Sequence, residues 1–278
     1  MYVIDLAYSN ATSKNVNGKD ILVPIDWSQI IPLDGVITKV SELNFTDETF
    51  IPNWHGIGAR GFARAGYHYF RNNQLLFGSG SQARTFASAI LAQGFKPSDY
   101  FVCDNEEKDG KGNPIVSLSQ SLDWFYNVKE LLGLPDYSHF WLYSTADILN
   151  GLNTSKLTSA QLDILHQIYI WIAGYPNLVP TGDILTSLPA SYLADPSIYG
   201  KTIGWQYQEN AAVPSIPGGT DLNEIDAAFL KSWQGAQTPV VSTPTSIPVV
   251  TLPVPFTITF TGNVDSSGKI SILNTEVQ

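Results

Sequence analysis

Two carboxylates placed two residues apart are the groups in this sequence best suited to chemistry. Asp104 and Glu106 follow an apolar run, residues 100–103, whose composition is typical of a buried strand. On an extended chain, residues two apart point to the same face, about 6.6 Å from each other along the strand. Carboxylates this close can hold different protonation states, so that one stays ionised while the other serves as a general acid. Such a pair is the minimum equipment for cleaving a glycosidic bond, although on its own it is more often a solvated acidic loop.

The surrounding sequence alternates strand and helix patterns, which predicts the fold that would position this pair. Strands alternating with helices predict a parallel sheet with helices outside it. Eight strands in about 230 residues favour a closed barrel over an open sheet. Because residues 175–199 show no clear helix pattern, the prediction is an irregular α/β, TIM-like (β/α) barrel with five β/α units followed mostly by strands. The predicted strands are residues 2–6, 35–40, 65–70, 100–103, 139–143, 168–173, 202–207 and 218–223. The predicted helices are residues 26–31, 46–64, 81–93, 117–132 and 224–233. A further helix is predicted to begin at Thr158.

Barrels of this kind carry their chemistry at the carboxyl ends of the strands. Carboxylates and aromatic rings together suit a carbohydrate, because rings stack on sugar faces while carboxylates bind hydroxyls or cleave the bond. The polar residues at the predicted strand ends are Asp5, Lys39, Glu42, His68, Asp104, Glu106, Tyr143, Gln206 and Asp221. The aromatic residues beside them are Tyr67, Trp171, Tyr175 and Trp205.

Composition excludes several classes of function. The formal net charge of −10 is unfavourable for binding nucleic acid or anionic membrane surfaces. The single cysteine, Cys103, excludes an intrachain disulfide and is expected to be a buried, inert thiol. The four histidines are scattered and lack metal-ligand spacing, so no metal site is expected, and His68 is expected to be a hydrogen-bonded core or cleft-wall residue. Trp54, Trp124 and Trp141 are expected in the core, and Trp205 in the core or on the cleft floor.

The N-terminal residues enter a strand directly and lack the basic and apolar regions of a signal peptide. No apolar run approaches the ~20 residues that span a bilayer. We therefore expect a protein made in a cytoplasm, which reaches an external target only if something else releases it.

The C-terminal sequence differs in composition from the rest. Residues 235–255 are rich in Thr, Pro and Val, which predicts an extended linker between a barrel at 1–234 and a small tail at 256–278. The tail alternates polar and apolar residues about a turn, which predicts a β-hairpin. A lone hairpin is too small to be stable, so it must pack on the barrel, on copies of itself or on a partner.

Taken in order, these motifs resemble the glycoside hydrolase family 25, the Chalaropsis-type lysozymes of bacteria, fungi and phages. Each motif alone is weak, but the ordered set covers residues 2–233. The motifs are Val3-Ile4-Asp5; Ile25-Asp26-Trp27 ("IDW"); Lys39-Val40-Ser41-Glu42 (similar to "KATEG"); Ala65-Gly66-Tyr67-His68-Tyr69-Phe70 (similar to "GAYHF"); Asp104-Asn105-Glu106 (D-x-E); Trp171-Ile172-Ala173-Gly174-Tyr175 ("WIAxY"); Trp205-Gln206-Tyr207 ("WQY"); and Pro217-Gly218-Gly219-Thr220-Asp221-Leu222-Asn223 (similar to the closing "GxxVDLN").

The resemblance implies an N-acetylmuramidase that cuts the β-1,4 bond after N-acetylmuramic acid in peptidoglycan, without metal or organic cofactor. By position, Glu106 would be the general acid, and Asp104 would assist by stabilising the positive charge that develops at the sugar or by orienting its N-acetyl group. Asp5 and Asp221 correspond to the two further acids of the family's cleft; from the residues alone, they could instead be buried supporting carboxylates. The further residues assigned to substrate binding are Tyr67, Tyr175, Glu42, Trp171 and Gln206.

Three departures from the family pattern affect the predicted subsites and leave all four acids in place. Ala7-Tyr8 replaces a Ser-His pair, residues 9–20 are longer than usual, and Leu43 stands where "KATEG" has a glycine. We therefore expect a hydrolase of Gram-positive peptidoglycan, either an endolysin released through a holin or a lysin carried on a virion, with the tail serving self-association or attachment to wall or virion. The alternative is a non-catalytic glycan-binding or structural component of a phage tail that keeps the barrel.

Overall fold

The chain folds into a closed barrel of short strands surrounded by helices. The computed structural model describes residues 3–16, 19–72, 77–151, 154–176, 178–181 and 183–235, and the strands at 258–264 and 270–277. The strands in this part of the chain are β1 (Val3–Leu6), β2 (Thr12–Val16), β3 (Lys19–Val23), β4 (Gly35–Glu42), β5 (Phe45–Thr46), β6 (Ala63–Tyr69), β7 (Tyr100–Asp104), β8 (Phe140–Thr145), β9 (Tyr169–Ala173), β10 (Thr202–Ala211), β11 (Thr220–Ile225), β12 (Ile258–Val264) and β13 (Ile270–Val277). The helices are α1 (Phe50–Arg60), α2 (Ser79–Gln93), α3 (Leu118–Leu132), α4 (Ala146–Gly151), α5 (Ser159–Gln167), α6 (Ile184–Ser187) and α7 (Ala227–Gly235).

Eight of these strands form the barrel in the order β1-β4-β6-β7-β8-β9-β10-β11, and β11 pairs with β1 to close it. This confirms the predicted irregular barrel. The strands from β1 to β10 run parallel, whereas β11 is antiparallel to both of its neighbours. The prediction of an all-parallel sheet is wrong for this last strand. The connection from β10 to β11 is a short turn, and a parallel pair would need a longer crossover.

Aromatic side chains fill the interior of the barrel at the amino ends of its strands. Tyr100 and Trp141, inside the barrel, pack against Phe229 and Trp233 of α7 at ring-centroid distances of 5.2–5.9 Å. Gly35 is required there, because a Cβ at this position would lie 3.0 Å from the ring of Trp233. The opposite end of the barrel, formed by the carboxyl ends of the strands, is therefore where a site can lie.

The outer layer explains why the predicted core tryptophans are buried. Trp54 and Trp124 lie with Phe101 in the cluster between the outer face of the sheet and the helices. Trp141 lies inside the barrel, and Trp205 packs outside it against Ile184 and Leu188, so all four predictions of buried tryptophans hold.

Several predicted helix boundaries need correction. The helix predicted over 46–64 spans only Phe50–Arg60, because Gly61 ends it in a left-handed conformation (φ 70°). Arg64 belongs to β6, where it forms a buried ion pair with Asp99. No helix forms at 25–31 within the described residues; the Asp26 carboxylate instead accepts hydrogen bonds from the backbone N and hydroxyl of Ser28, which fixes a turn.

Other local predictions are confirmed. Ser117 and Thr158 cap α3 and α5, each paired with a glutamine three residues later in a capping box. The polar stretch at 9–20 begins with a 3-10 turn at Tyr8–Asn10 and continues into the antiparallel hairpin β2–β3.

The chain divides into two compact units, Met1–Thr238 and Pro239–Gln278. The second unit contains the antiparallel pair β12–β13, whereas the predicted linker at 235–255 lies, apart from Gly235, outside the described residues. Among the described helices, none combines the length and apolar character required to span a bilayer.

Candidate active site

A polar cleft lies at the carboxyl ends of the barrel strands. A pocket of about 250 Å³ and a neighbouring pocket of about 300 Å³ share five lining residues and therefore form one continuous cleft. The shared residues are Asp5, Ala7, Ser9, Tyr67 and Asp221. The remaining residues of the first pocket are Tyr8, Lys39, Tyr69, Asp104, Glu106, Tyr143, Trp171 and Gln206, and those of the second are Asn10, Glu209, Asn210 and Gly219.

Asp104 is the last residue of β7 and faces the cleft, because its neighbour Cys103 points outward into the helix-covered core. Burial raises the pKa of Asp104 well above its usual range, and Glu106 raises it further, while Lys39 opposes the shift. Asp104 Oδ1 has no hydrogen-bond partner among the described residues. A buried carboxyl oxygen without a protein donor is well placed to accept one from a bound molecule.

Asn105 explains how the chain returns Glu106 to the cleft just after β7. The Asn105 backbone N donates to Tyr143 O (2.9 Å), and its side-chain amide donates to Ser121 Oγ (2.9 Å). The hydroxyl of Ser144 donates to Asn105 O (2.5 Å). These contacts fix Asn105 on the outer side of the sheet, so that the residues before and after it face the cleft.

The environment of Glu106 favours its protonated form. Burial is the largest cause of the raised pKa of Glu106, and the charges of Asp221 and Glu209 add to it. A hydrogen bond from Tyr143 and the charge of Arg71 act in the opposite direction. A carboxyl group with a raised pKa keeps its proton to higher pH, which suits a general acid.

Asp5 and Asp221 form a second carboxyl pair across the β1–β11 ladder, where they are direct partners in the register. Gln206 Nε2 donates to Asp5 Oδ2 (3.0 Å) and to Asp221 Oδ2 (3.3 Å). Asn223 Nδ2 also donates to Asp5 Oδ2 (2.9 Å). Burial, followed by the charge of Asp221, raises the pKa of Asp5 to about 7, although these hydrogen bonds lower it.

The second carboxyl of this pair is held differently. Burial raises the pKa of Asp221, and the backbone N–H of Asn210, which donates to Asp221 Oδ1 (3.0 Å), lowers it. Asn210 adopts a left-handed conformation (φ 53°) next to the register shifts of β10. Gly219 allows this corner to form, because a Cβ there would lie 2.8 Å from Asn210 Cα.

The aromatic residues predicted for substrate binding take different places. Tyr67 lines both halves of the cleft. Trp171 forms part of the floor, where its Nε1 donates to Asn223 Oδ1 (3.0 Å) and its ring lies 4.4 Å from that of Tyr143. Tyr175 is 42% exposed at the rim, and its hydroxyl donates to Gln206 Oε1 (2.5 Å).

Glu42 and Tyr175 are the predicted site residues that do not line the two cleft pockets; Tyr175 lines a neighbouring pocket, and Glu42 lines none of these three. The Glu42 carboxylate binds Lys39 Nζ (2.5 Å) and Arg71 Nε (2.7 Å). Arg71 continues the chain of charges to Glu107 (3.1 Å). Lys39, rather than Glu42, lines the cleft; Glu42 holds this lysine, and its charge also raises the pKa of Asp104.

Several residues received no role from the sequence, among them Lys39, Tyr69, Tyr143 and Glu209 of the cleft lining and Asn223, which supports Asp5. Lys39 and Tyr143 were recognised only as polar residues at strand ends. Tyr69 and Asn223 lie two residues after Tyr67 and Asp221 in their strands, so the two-residue alternation of a strand was the available signal.

The histidine and cysteine near the site are structural. His68 is buried between Ser41 Oγ (2.8 Å) and Gln82 Oε1 (2.9 Å) and stacks on Trp124, and burial lowers its pKa to about 4. Burial raises the pKa of the Cys103 thiol, as expected for an inert group. In the part of the chain that the structure describes, no group of His, Cys, Asp and Glu side chains has the arrangement of a metal site.

A barrel whose mouth gathers four carboxyl groups and several aromatic rings is suited to the hydrolysis of a glycosidic bond. The chain belongs to glycosyl hydrolases family 25, whose model matches residues 23–216. A search of curated protein sequences finds no match.

Solved structures share the fold at low sequence identity. The bacterial lysozyme from Streptomyces coelicolor aligns with a TM-score of 0.56 and 18% identity, over 84% of this chain and 97% of that one. The catalytic domain of endolysin ply40 from bacteriophage P40 of Listeria monocytogenes aligns with a TM-score of 0.55 and 18% identity, over 84% and 97%. The autolysin LytC from Streptococcus pneumoniae, in complex with a synthetic peptidoglycan ligand, aligns with a TM-score of 0.54 and 20% identity, over 80% and 46%.

Proposed function

We propose that this protein is a peptidoglycan hydrolase, a 1,4-β-N-acetylmuramidase that cleaves the bond between N-acetylmuramic acid and N-acetylglucosamine. The observation that carries the proposal is the position of Glu106, whose pKa is raised by burial and which shares one cleft with Asp5, Asp104 and Asp221. Membership of family 25 and the fold common to lysozymes support it.

Glu106 is the general acid in this proposal. Its proton passes to the glycosidic oxygen as the bond from that oxygen to the sugar's anomeric carbon breaks. A water molecule then adds to the anomeric carbon, and the proton that it loses returns to Glu106. Burial and their mutual repulsion raise the pKa of both Asp104 and Glu106, because two adjacent carboxyls resist ionising together, and this favours a proton shared between them. When that proton lies on Glu106, the neighbouring Lys39 favours the ionised form of Asp104.

Asp104 then assists the departure of the leaving group. Its carboxylate either stabilises the positive charge that develops at the sugar or accepts a hydrogen bond from the sugar's N-acetyl group and orients it. The free oxygen Oδ1 is the atom available for that contact. Tyr67, Trp171 and Tyr175 supply ring faces for the sugars.

We further propose that the target is a Gram-positive wall and that the protein acts as a phage or prophage endolysin or as a virion-associated lysin. The shared fold with a phage endolysin catalytic domain is consistent with this role. The tail strands β12 and β13 would then serve attachment or self-association.

The test is the release of reducing ends from purified Gram-positive peptidoglycan, with mass spectrometry of the products. Wild type should release fragments ending in reducing N-acetylmuramic acid. Glu106→Gln should lose at least about 10²–10⁴-fold of this activity, because only the transferable proton is removed. Glu107→Gln is the matched control, because Glu107 binds Arg71 and Asn72 N outside the cleft lining and should tolerate the same change.

The alternative function is a non-catalytic glycan-binding or structural phage component. The predicted tail favours it, since an appended hairpin suits assembly as well as wall binding. If folded wild type binds sacculi but releases nothing from several wall types, this alternative replaces the enzyme. If Glu106→Gln cleaves as fast as wild type, the chemistry lies elsewhere in the cleft.

A further inference from the structure

The three departures from the family pattern lie on the same side of the barrel mouth and receive no role in the proposed function. Ala7 and Tyr8 follow β1, and the polar stretch after them continues into the β2–β3 hairpin. Leu43 lies in the turn between β4 and β5 and adopts a left-handed conformation (φ 49°). Because β1 and β4 are adjacent parallel strands, these segments end next to each other, and the backbone N of Tyr8 donates to Asp47 Oδ2 (3.2 Å) just after β5. This side of the mouth is thus particular to this chain.

The backbone of Tyr8 is held on two sides. On one side, it donates to the carboxylate of Asp47, which is buried. On the other side, Asn10 ends the same 3-10 turn, and its Oδ1 accepts from Ala7 N (2.6 Å) while its Nδ2 donates to Gly219 O. Gly219 lies just before β11, 209 positions further along the chain than Asn10. The turn is therefore tied to two distant segments of the barrel, which fixes the backbone that carries Tyr8.

Tyr8 is the exposed aromatic residue in the half of the cleft that contains Glu106. It lines this half of the cleft and is 57% exposed. Trp171 and Tyr143 line the same half, but both are buried. The buried residues thus form the bottom of the cleft beside the acids, whereas Tyr8 lies at its mouth.

A tyrosine in this setting is suited to binding a sugar ring. Its side chain has only two rotatable χ angles, so ordering it on a fixed backbone costs little conformational entropy. A sugar ring offers an apolar C–H face that can stack on the tyrosine and hydroxyl groups that can bind the carboxyls of the same lining. These carboxyls disfavour an anionic ligand, and this favours a neutral sugar over an acidic part of the stem peptide.

We propose that Tyr8 is a substrate-binding residue whose ring stacks on a sugar of the glycan strand at the mouth of the cleft. The inference rests on the proposed function, because the glycan strand of peptidoglycan is the ligand. The buried acids act on the cleaved bond, while Tyr8 adds a subsite that holds the strand. An interaction made equally in the bound substrate and in the transition state strengthens binding without changing the chemical step.

Three substitutions of Tyr8 separate ring stacking from other roles. Tyr8→Ala removes the ring and should weaken the binding of a glycan strand about 3–10-fold, which is the contribution expected of one aromatic contact. Tyr8→Phe keeps the ring and loses only the hydroxyl, so its affinity should stay within about 2-fold of the unchanged protein. Tyr8→Leu keeps an apolar side chain without a flat face, and it should recover little of the affinity that Tyr8→Ala loses.

Tyr126→Ala is the matched control. Tyr126 is 54% exposed, close to the value for Tyr8, but it lies on α3 outside the sheet and does not line the cleft. The variant loses the same side chain from a similarly exposed position, so its binding and its cleavage of glycan strands should match those of wild type.

The experiment titrates glycan strands into the full chain by isothermal titration calorimetry. Every protein in the titration carries Glu106→Gln, so that the strands stay intact, and mass spectrometry of the strands confirms this. The strands are taken from Gram-positive peptidoglycan after an amidase has removed the stem peptides, so that only sugars are available to Tyr8. Thermal unfolding confirms that each variant is folded. Variants that keep Glu106 are assayed on the same strands in parallel, and Tyr8→Ala should raise KM by the same factor with little change in kcat.

Weaker binding by Tyr8→Ala and Tyr8→Leu, with Tyr8→Phe and Tyr126→Ala unaffected, would establish the subsite. Equal binding by all variants, or a loss in Tyr8→Phe as large as in Tyr8→Ala, would overturn it, while cleavage by wild type would leave the muramidase in place. If binding depends on Tyr8 in the expected way but wild type cleaves nothing, the muramidase fails and the subsite stands. An absence of strand binding in every folded variant would also overturn the subsite.

Discussion

The substitution Asp5→Asn tests how much the buried carboxylate of Asp5 lowers the free energy of unfolding. The pKa of Asp5 rises from its ordinary value of 3.8 to about 7 in the folded protein, chiefly through burial. Because the folded value lies above the unfolded one, the unfolded chain loses this proton first as pH rises. The contribution of Asp5 to the free energy of unfolding therefore falls between about pH 4 and pH 7 and stays low above that range. A difference of about 3 pH units corresponds to about 4 kcal/mol.

An asparagine at this position avoids the loss of stability above about pH 4, because its amide does not ionise. Its carbonyl oxygen can still accept hydrogen bonds from Gln206 Nε2 and Asn223 Nδ2. Asp221 shares the Gln206 amide, so the effect belongs to the pair, and we expect Asp5→Asn to be about 2–4 kcal/mol more stable than wild type at pH 8. Near pH 4, where Asp5 is protonated in both states, the difference should largely vanish.

The assay is urea unfolding at pH 4, 6 and 8, followed by circular dichroism. Asp163→Asn on α5 is the control, since it makes the same chemical change at an exposed carboxylate. An equal gain at all three pH values, or none at pH 8, would show that ionised Asp5 is well accommodated and that the burial argument is wrong. If Asp5→Asn is more stable than wild type but no longer cleaves peptidoglycan, Asp5 serves activity and lowers the stability of the fold.

Two further predictions concern groups away from the cleft. Asp99→Ala should lower the free energy of unfolding by about 3–5 kcal/mol, because it leaves Arg64 buried without its charged partner. Urea unfolding measures this loss of stability. A loss under about 1 kcal/mol would contradict the prediction. Cys103 should not react with a thiol reagent in the native protein and should react fully in urea; rapid native labelling would show that the strand opens readily.

The strand pattern was sufficient to predict the barrel and the strand-end position of its acids. Asp104 and Glu106 could be located because an apolar strand ends there, and carboxyl ends of parallel strands converge on one mouth. The direction of β11 was predicted wrongly, although the short connection between the two predicted strands, residues 208–217, favours an antiparallel pair over a parallel crossover. The pairing of Asp5 with Asp221 depends on that direction and appears only in the structure.

Two side chains show why contacts are harder to predict than positions. Lys39 faces the cleft two residues after Ile37 of the barrel interior, whereas the register shift between Lys39 and Ser41 interrupts this alternation before Glu42, which lies beside Arg71. Gln206 was predicted at a strand end but lies in the middle of β10, at the last pair of its ladder with β9, and the partners of its amide are set by four other strands and loops. Sequence periodicity carries no information on such long-range hydrogen bonds.

The closure of the barrel by β1 and β11 also affects when the site can first exist. Asn223 and Asp5, which lie 218 positions apart, must meet before the mouth is complete. A ribosome delivers β11 near the end of the barrel unit, so a partly synthesised chain has Asp5 and Glu106 but lacks Gln206, Asp221 and Asn223 until the last strands emerge. Contacts this distant in sequence are slow to form. The order of the strands thus delays assembly of the complete cleft until the barrel has been translated to its final strand.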